Sequence, residues 1–168
     1  MKQLIVLSII SISLFACTSS AVKKEKSNLA IAEKYMLAVE TKNASLMDSL
    51  LADNYIGYGP SVNDSVNKEQ AISGFRENSE TLYESLKYTR HKELAVTVKE
   101  GEAQGDWVLN WAYLTLKYKV GSEPVHLWVN VVYRIENGKI VLSRTFYNEA
   151  DVLRQLHFMI TPPEAELK

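Results

Sequence analysis

The sequence predicts a single α+β domain, helical in its first part and built of antiparallel strands in its second. Three observations carry this. Apolar residues recur at helical spacing between residues 28 and 82, and from Tyr88 onward they alternate with polar ones. The alternating part contains Asn137-Gly138, two residues that tolerate the positive φ of a tight hairpin turn. The chain of 168 residues is 46% hydrophobic and 23% charged with only 7 Gly and 4 Pro, which excludes collagen-like, low-complexity and largely disordered chains. With 19 Lys and Arg against 20 Asp and Glu, nothing makes an electrostatic footprint for nucleic acid.

The elements follow in order. Residues 1–16 read as an export signal: Lys2 supplies the positive start, and the apolar run 4–16 is too short to span a bilayer. Leu14-Phe15-Ala16-Cys17 resembles the lipobox of bacterial lipoproteins. That resemblance implies a diacylated Cys17, cleavage just before it, and a domain held on the outside of a membrane in the bacterial envelope. Cys17 is the only cysteine, so lipidation would account for the single thiol of an exported chain. Residues 17–27 are small, polar and charged and are expected to form a flexible tether to a domain at 28–160, with a tail at 161–168. Ser27 or Asn28 can cap a helix over 28–42, and Asn43 a short one carrying Leu46, Met47, Leu50 and Leu51. Asn54–Tyr58 reads as a brief strand, and Asn67 with Gln70 starts a third helix as a capping box. Strands are expected at 88–99, 107–119, 125–136 and 139–147, with Asn148 capping a closing helix. A two-residue turn at Asn137-Gly138 sets Glu136 opposite Lys139, Val132 opposite Ser143, Asn130 opposite Thr145 and Trp128 opposite Tyr147.

The two faces of this sheet differ. One carries Leu127, Val129, Val131, Tyr133, Ile135, Ile140, Leu142 and Phe146, joined by Val108, Ala112, Leu114 and Leu116. The other mixes aromatic rings with hydrogen-bonding groups: Trp107, Trp111, Tyr113, Thr115, His126, Trp128, Asn130, Arg134, Ser143, Thr145 and Tyr147. A dry core rarely accepts so many hydroxyl and amide groups, since each buried unpaired one costs about 1–3 kcal/mol. The mixed face is therefore expected to line a cavity. The apolar face, too large for a monomer to expose, is expected to pair with a second copy, a contact that Asp at Val131 would break.

The element order, Leu51-Ala52-Asp53-Asn54-Tyr55, and the ending Arg134-Ile135-Glu136-Asn137-Gly138-Lys139-Ile140 resemble the NTF2-like superfamily, in its SnoaL-like branch. The resemblance implies a strongly bent mixed sheet wrapped around the N-terminal helices as a cone with a pocket inside. Relatives include steroid isomerases, polyketide cyclases, dehydratases and binding domains. Matching their residues by position, Tyr35 takes the place of the helix Tyr of the isomerases. Gly59 and Asn130 stand where their carboxylate base and protonated acid belong, and Ser143 and Thr145 where the cyclases carry His and Asp.

Catalytic candidates reduce to Tyr35, His126 and Asp53. His91, His126 and His157 are scattered with no Cys nearby, which speaks against a zinc site, and Asn63-Asp64-Ser65 lacks a carboxylate set for a cation; no cofactor is implied. The sequence reading is a binding module for a small, largely uncharged organic ligand. Its expected contacts are Tyr35, Trp111, Tyr113, Thr115, Trp128, Asn130, Ser143, Thr145 and Tyr147. An acid-base enzyme with a rearranged site and a structural domain with a filled core are the alternatives.

Overall fold

The computed structural model describes residues 2–120, 123–159 and 161, with side chains from Ser20 onward. The side chains of the expected export signal and of Cys17 lie outside that range, as does all of the tail 161–168 except residue 161. Among the described residues no helix is long and apolar enough to cross a membrane. The chain runs α1 (Lys2–Glu40), α2 (Ala44–Leu50), β1 (Leu51–Tyr58), β2 (Ser65–Asn67), α3 (Lys68–Thr81), β3 (Tyr83–Val98), β4 (Gly105–Tyr118), β5 (Val125–Glu136), β6 (Lys139–Tyr147) and α4 (Glu149–Gln155).

The expected caps form. Asn43 accepts from the Leu46 N–H, Asn148 from the Asp151 N–H, and Asn67 and Gln70 close a reciprocal capping box. Each satisfies donors that a helix start leaves orphaned. Residues 20–27, expected as a tether, instead continue α1 as an exposed helix. Ala, Lys and Glu favour helix, and Lys24 Nζ sits 2.9 Å from Asp106 Oδ1 at the start of β4, tying this turn to the sheet.

One curved six-stranded sheet, ordered β2-β1-β6-β5-β4-β3, organises the molecule. β1 and β6 are parallel, and every other pair is antiparallel. Such a mixed sheet wrapped around helices is the α+β cone that the resemblance implied. β3 begins at Tyr83, five residues earlier than the alternation suggested, and β2 was not expected at all.

The faces are the reverse of the expectation. In β5 the odd-numbered residues from Val125 to Ile135 are all buried, whereas His126 and Trp128 are exposed and Asn130, Val132 and Arg134 are half-exposed. β4 follows in phase, burying Val108, Asn110, Ala112, Leu114 and Leu116. The nearly all-apolar face is thus the one that packs on Ile31, Ala32 and Val39 of α1 and encloses the interior. Removing apolar area from water is the stronger drive, at about 25 cal/mol per Å². Hence Val108, Leu114, Leu116, Val129, Val131 and Tyr133 cannot form the expected face between copies, because their own chain covers them.

β6 breaks the phase. Glu136 pairs with Lys139 and Ile135 with Ile140, but Arg134 pairs with Leu142, which leaves Val141 as the extra residue of a bulge. Downstream the partners are Tyr133 with Ser143, Val131 with Thr145 and Val129 with Tyr147, each one residue off the register expected from the turn. Ser143, Thr145 and Tyr147 therefore look inward after all, opposite in sequence phase to Ile140.

Candidate functional site

The interior of the cone is a cavity with two lobes. The wider, of about 330 Å³, opens between β1, α3 and the loop after β1; it is lined among others by Tyr55, Tyr58, Asp64, Phe75 and Asn78. The other, of about 220 Å³, lies deeper against β3, β4 and β5 and is lined by Tyr88, Leu114, Tyr118, Leu127, Tyr133 and Tyr147 among others. Tyr35, Val39, Tyr83, Leu86, Ser143 and Thr145 border both lobes, which adjoin across these side chains within one interior. Eight of the chain's nine tyrosines line it.

Local sequence explains how these rings get there. Tyr35 lies on the inward stripe of α1 beside Met36 and Val39, and its ring meets that of Tyr133 at 5.5 Å and 60°. Tyr55 is buried on β1, with its hydroxyl 2.7 Å from Ser143 Oγ on the parallel strand β6. Gly57, two residues along the same face, makes room for that ring, because a Cβ there would meet the Tyr55 hydroxyl at 2.5 Å. Gly59 has φ +97°, and a Cβ on it would run into the Thr145 backbone, so no carboxylate can occupy the position assigned to the isomerase base.

Burial sets the electrostatics. It raises the Tyr35 and Tyr133 hydroxyls well above the ordinary tyrosine value, with the neighbouring phenols adding to the effect. Burial also raises Tyr55, against the opposing hydrogen bonds of Ser143 and Tyr35, and pushes Tyr83 up to about 12. At neutral pH all of these are neutral O–H groups, able to donate to an acceptor but not to take a proton. Among the described residues, no lysine, arginine or histidine lines either lobe, and the one carboxylate that does, Asp64, sits exposed at the mouth, where it accepts from the Ser61 N–H at 3.2 Å.

The structure places the expected site residues in two groups. Tyr35, Ser143, Thr145 and Tyr147 line the cavity. Trp111, Tyr113, Thr115, Trp128 and Asn130 stand on the opposite face of the sheet, contrary to expectation, because β4 and β5 bury their other phase. Trp111 and Trp128 flank an outer groove with Phe146, and Tyr113 is sandwiched between Arg90 and His126. His126 is exposed there, with Nδ1 3.2 Å from Thr115 Oγ1, and Asp53 is an exposed partner of Lys68 at 3.2 Å; neither reaches the cavity. Arg134, expected inside, lies over Trp107 on the outer face and pairs with Glu136. The position matched to the sheet acid also shifts: Asn130 faces out, and its inward neighbours are Val129 and Val131. Tyr55, Tyr58, Tyr83, Tyr88, Tyr118 and Tyr133 were not foreseen. Their signal was the tyrosine count, and the signal for the bulge was Ile140-Val141-Leu142, three apolar residues that interrupt the alternation.

The comparisons agree with this architecture. Solved structures that superpose include an LEH-like epoxide hydrolase from M. tuberculosis, with a TM-score of 0.58, 16% identity and coverage of 80% of this chain and 92% of that one. A protein of ketosteroid isomerase-like fold from Catenulispora acidiphila, in complex with trimethylamine, gives 0.61 at 17% identity over 79% and 97%. An NTF2-like protein from Burkholderia xenovorans gives 0.59 at 14% identity over 78% and 96%. At such identities these establish the fold alone. No protein of curated function matches the chain. The profile of the SnoaL-like domain matches residues 32–143, about two thirds of the length, and the chain therefore belongs to the SnoaL-like domain family.

Proposed function

We propose that this protein is an envelope-anchored binding domain whose cone holds a small organic ligand carrying a neutral hydrogen-bond acceptor. The observation that carries the reading is the cavity itself: hollow, walled by tyrosines, and, among the described residues, without a carboxylate or imidazole beyond Asp64 at its mouth. The wider lobe, of about 330 Å³, is at the small end of the range for ligand pockets and the other, of about 220 Å³, falls below it on its own, but a filled core would leave no such space. Tyr55, Ser143 and Tyr35 would orient the acceptor, while Leu86, Val39 and Phe75 supply apolar contact. With no cationic side chain on the wall among the described residues, an anionic ligand would pay desolvation without compensation. Anchoring through a lipidated Cys17 rests on the lipobox-like sequence before it.

An acid-base enzyme is the second reading, favoured by one feature: Asp64 shares the wider lobe with Tyr35 and Tyr55. A carboxylate and two neutral phenols could move a proton next to a carbonyl and stabilise the resulting oxyanion. Heating protein purified from its native host and identifying what leaves by mass spectrometry tests the binding reading. A stoichiometric small molecule is the expected result, lost in Tyr55→Phe/Ser143→Ala protein; a cavity that arrives empty and takes up nothing from host extract would defeat it. Turnover abolished by Asp64→Asn would transfer the function to the second reading.

A further inference from the structure

The inner lobe has an end with a chemistry of its own. At this end Tyr83 of β3, Tyr118 of β4 and Tyr147 of β6 border the cavity together with Val152 of α4. Tyr83 and Tyr118 are partners across the β3–β4 ladder, with ring centroids 5.6 Å apart and planes inclined at 45°, so they form a corner rather than a flat stack. Tyr147 enters from β6 because of the bulge at Val141. Charged groups of both signs stand around this end without lining it, Lys42 Nζ donating to the Tyr83 carbonyl at 2.9 Å. Glu149 follows directly on Asn148 at the start of α4, Asp64 stands at the outer mouth, and Glu40 accepts from the Tyr88 N–H at 2.6 Å. The charges on Glu149 and Asp64 reach Tyr147, and that of Glu40 reaches Tyr88, adding to the larger effect of burial in raising both hydroxyls. Among the described residues, neither a carboxylate nor a lysine or arginine lines the lobe itself.

We propose that the corner formed by Tyr83, Tyr118 and Tyr147 holds a methylated ammonium group, the cationic end of the ligand whose acceptor end meets Tyr55 and Ser143. Aromatic faces attract a cation through their quadrupole, most strongly when water is excluded, and at Tyr147 the charges of Glu149 and Asp64 act in the same direction. Methylation follows from the same wall. A primary ammonium would exchange its hydrogen bonds to water for a few hydroxyl oxygens and, among the described residues, no carboxylate inside the lobe, whereas a quaternary head has no such bonds to give up. Its methyl groups instead meet the apolar side chains of Leu114, Leu116 and Val129. The inference rests on the binding reading above and adds a charge requirement to it.

The test compares three small probes on the purified protein by calorimetry: choline, its neutral isostere 3,3-dimethylbutan-1-ol, and ethanolamine. Choline should bind about tenfold or more tighter than the neutral isostere, and tighter than ethanolamine. Tyr118→Leu should erase that preference, Tyr118→Phe should keep most of it, and Glu149→Gln should reduce it a few-fold. Equal binding of choline and its isostere overturns the charge requirement while the cavity reading stands. If ethanolamine matches choline, the methyl requirement fails. Binding by none of the three overturns this inference, and an empty cavity in the ligand-release experiment would then remove the binding reading as well. A preference for choline unchanged in Tyr118→Leu places the cation elsewhere and also overturns it.

Discussion

At the scale of single residues, the interior is governed by which polar atoms find partners. Tyr55 and Ser143 satisfy each other across two strands distant in sequence. Asn110, 1% exposed at the inner end of β4, donates to Glu93 Oε1 at 3.1 Å and approaches Met36 Sδ at 3.3 Å, and its own carbonyl accepts from Asn130 Nδ2. Glu93 is the strained member of this set. Burial and then the charge of Glu33 raise its carboxyl above the ordinary value of 4.5, against the opposing Asn110 hydrogen bond and His91. A carboxyl raised by folding adds no penalty below its unfolded value; the penalty builds as pH rises through the folded value and is complete above it. Glu93→Gln keeps the oxygen that Asn110 uses and removes the charge. The variant is expected to melt at a higher temperature than the parent at pH 7. The gap should close as the pH is lowered past the ordinary glutamate value, a trend that thermal scans across pH would follow.

At the scale of elements, local chemistry was legible and phase was not. The caps at Asn43, Asn67 and Asn148 could be read because a cap is settled by a side chain and the backbone three residues away. The Asn137-Gly138 turn could be read for the same reason, and both residues have positive φ. The grouping of Trp111 with Asn130 and Tyr113 with Trp128 across β4 and β5 was also right, because a ladder preserves parity over its length. What failed was the choice of inner face, and then the register of β6, where one inserted residue reverses everything after it. Thus Ser143, Thr145 and Tyr147 reached the cavity, while Trp128 and Asn130, grouped with them by parity, did not. The tyrosine wall escaped notice because its rings come from six elements, α1, β1 and β3–β6, joined by no local spacing. A cap read in this way can be tested alone. Asn67→Ala removes the bond from the Gln70 N–H and half of the capping box, and should cost about 1 kcal/mol in denaturant unfolding with an unchanged m-value.

At the scale of the whole molecule, the reversed sheet moves the surface available to a second copy. Trp128, Trp111 and Phe146 are 58%, 43% and 49% exposed on the outer face, with Leu94 at 54% farther along β3. Large exposed aromatic and aliphatic side chains in one region are what a sheet covers by pairing, with Lys92 opposite Trp111 and Arg90 over Tyr113 as the charges set among them. A homodimer through this face, rather than through Val131, is the assembly we propose. Two substitutions separate the possibilities. Trp128→Asp places a charge on an exposed strand position, so the chain should still fold and unfold cooperatively while light scattering at tens of micromolar reports half the mass of the parent. Val131→Asp places the same charge among Leu127, Val129 and Tyr133 on the cavity wall, where an unpaired carboxylate costs several kcal/mol, so it should destroy cooperative unfolding before any dimer can be assayed. A parent protein that scatters as a monomer would remove the dimer. A folded Val131→Asp monomer from a dimeric parent would instead restore the opposite face as the contact and contradict the inward direction of β5 on which the cavity depends.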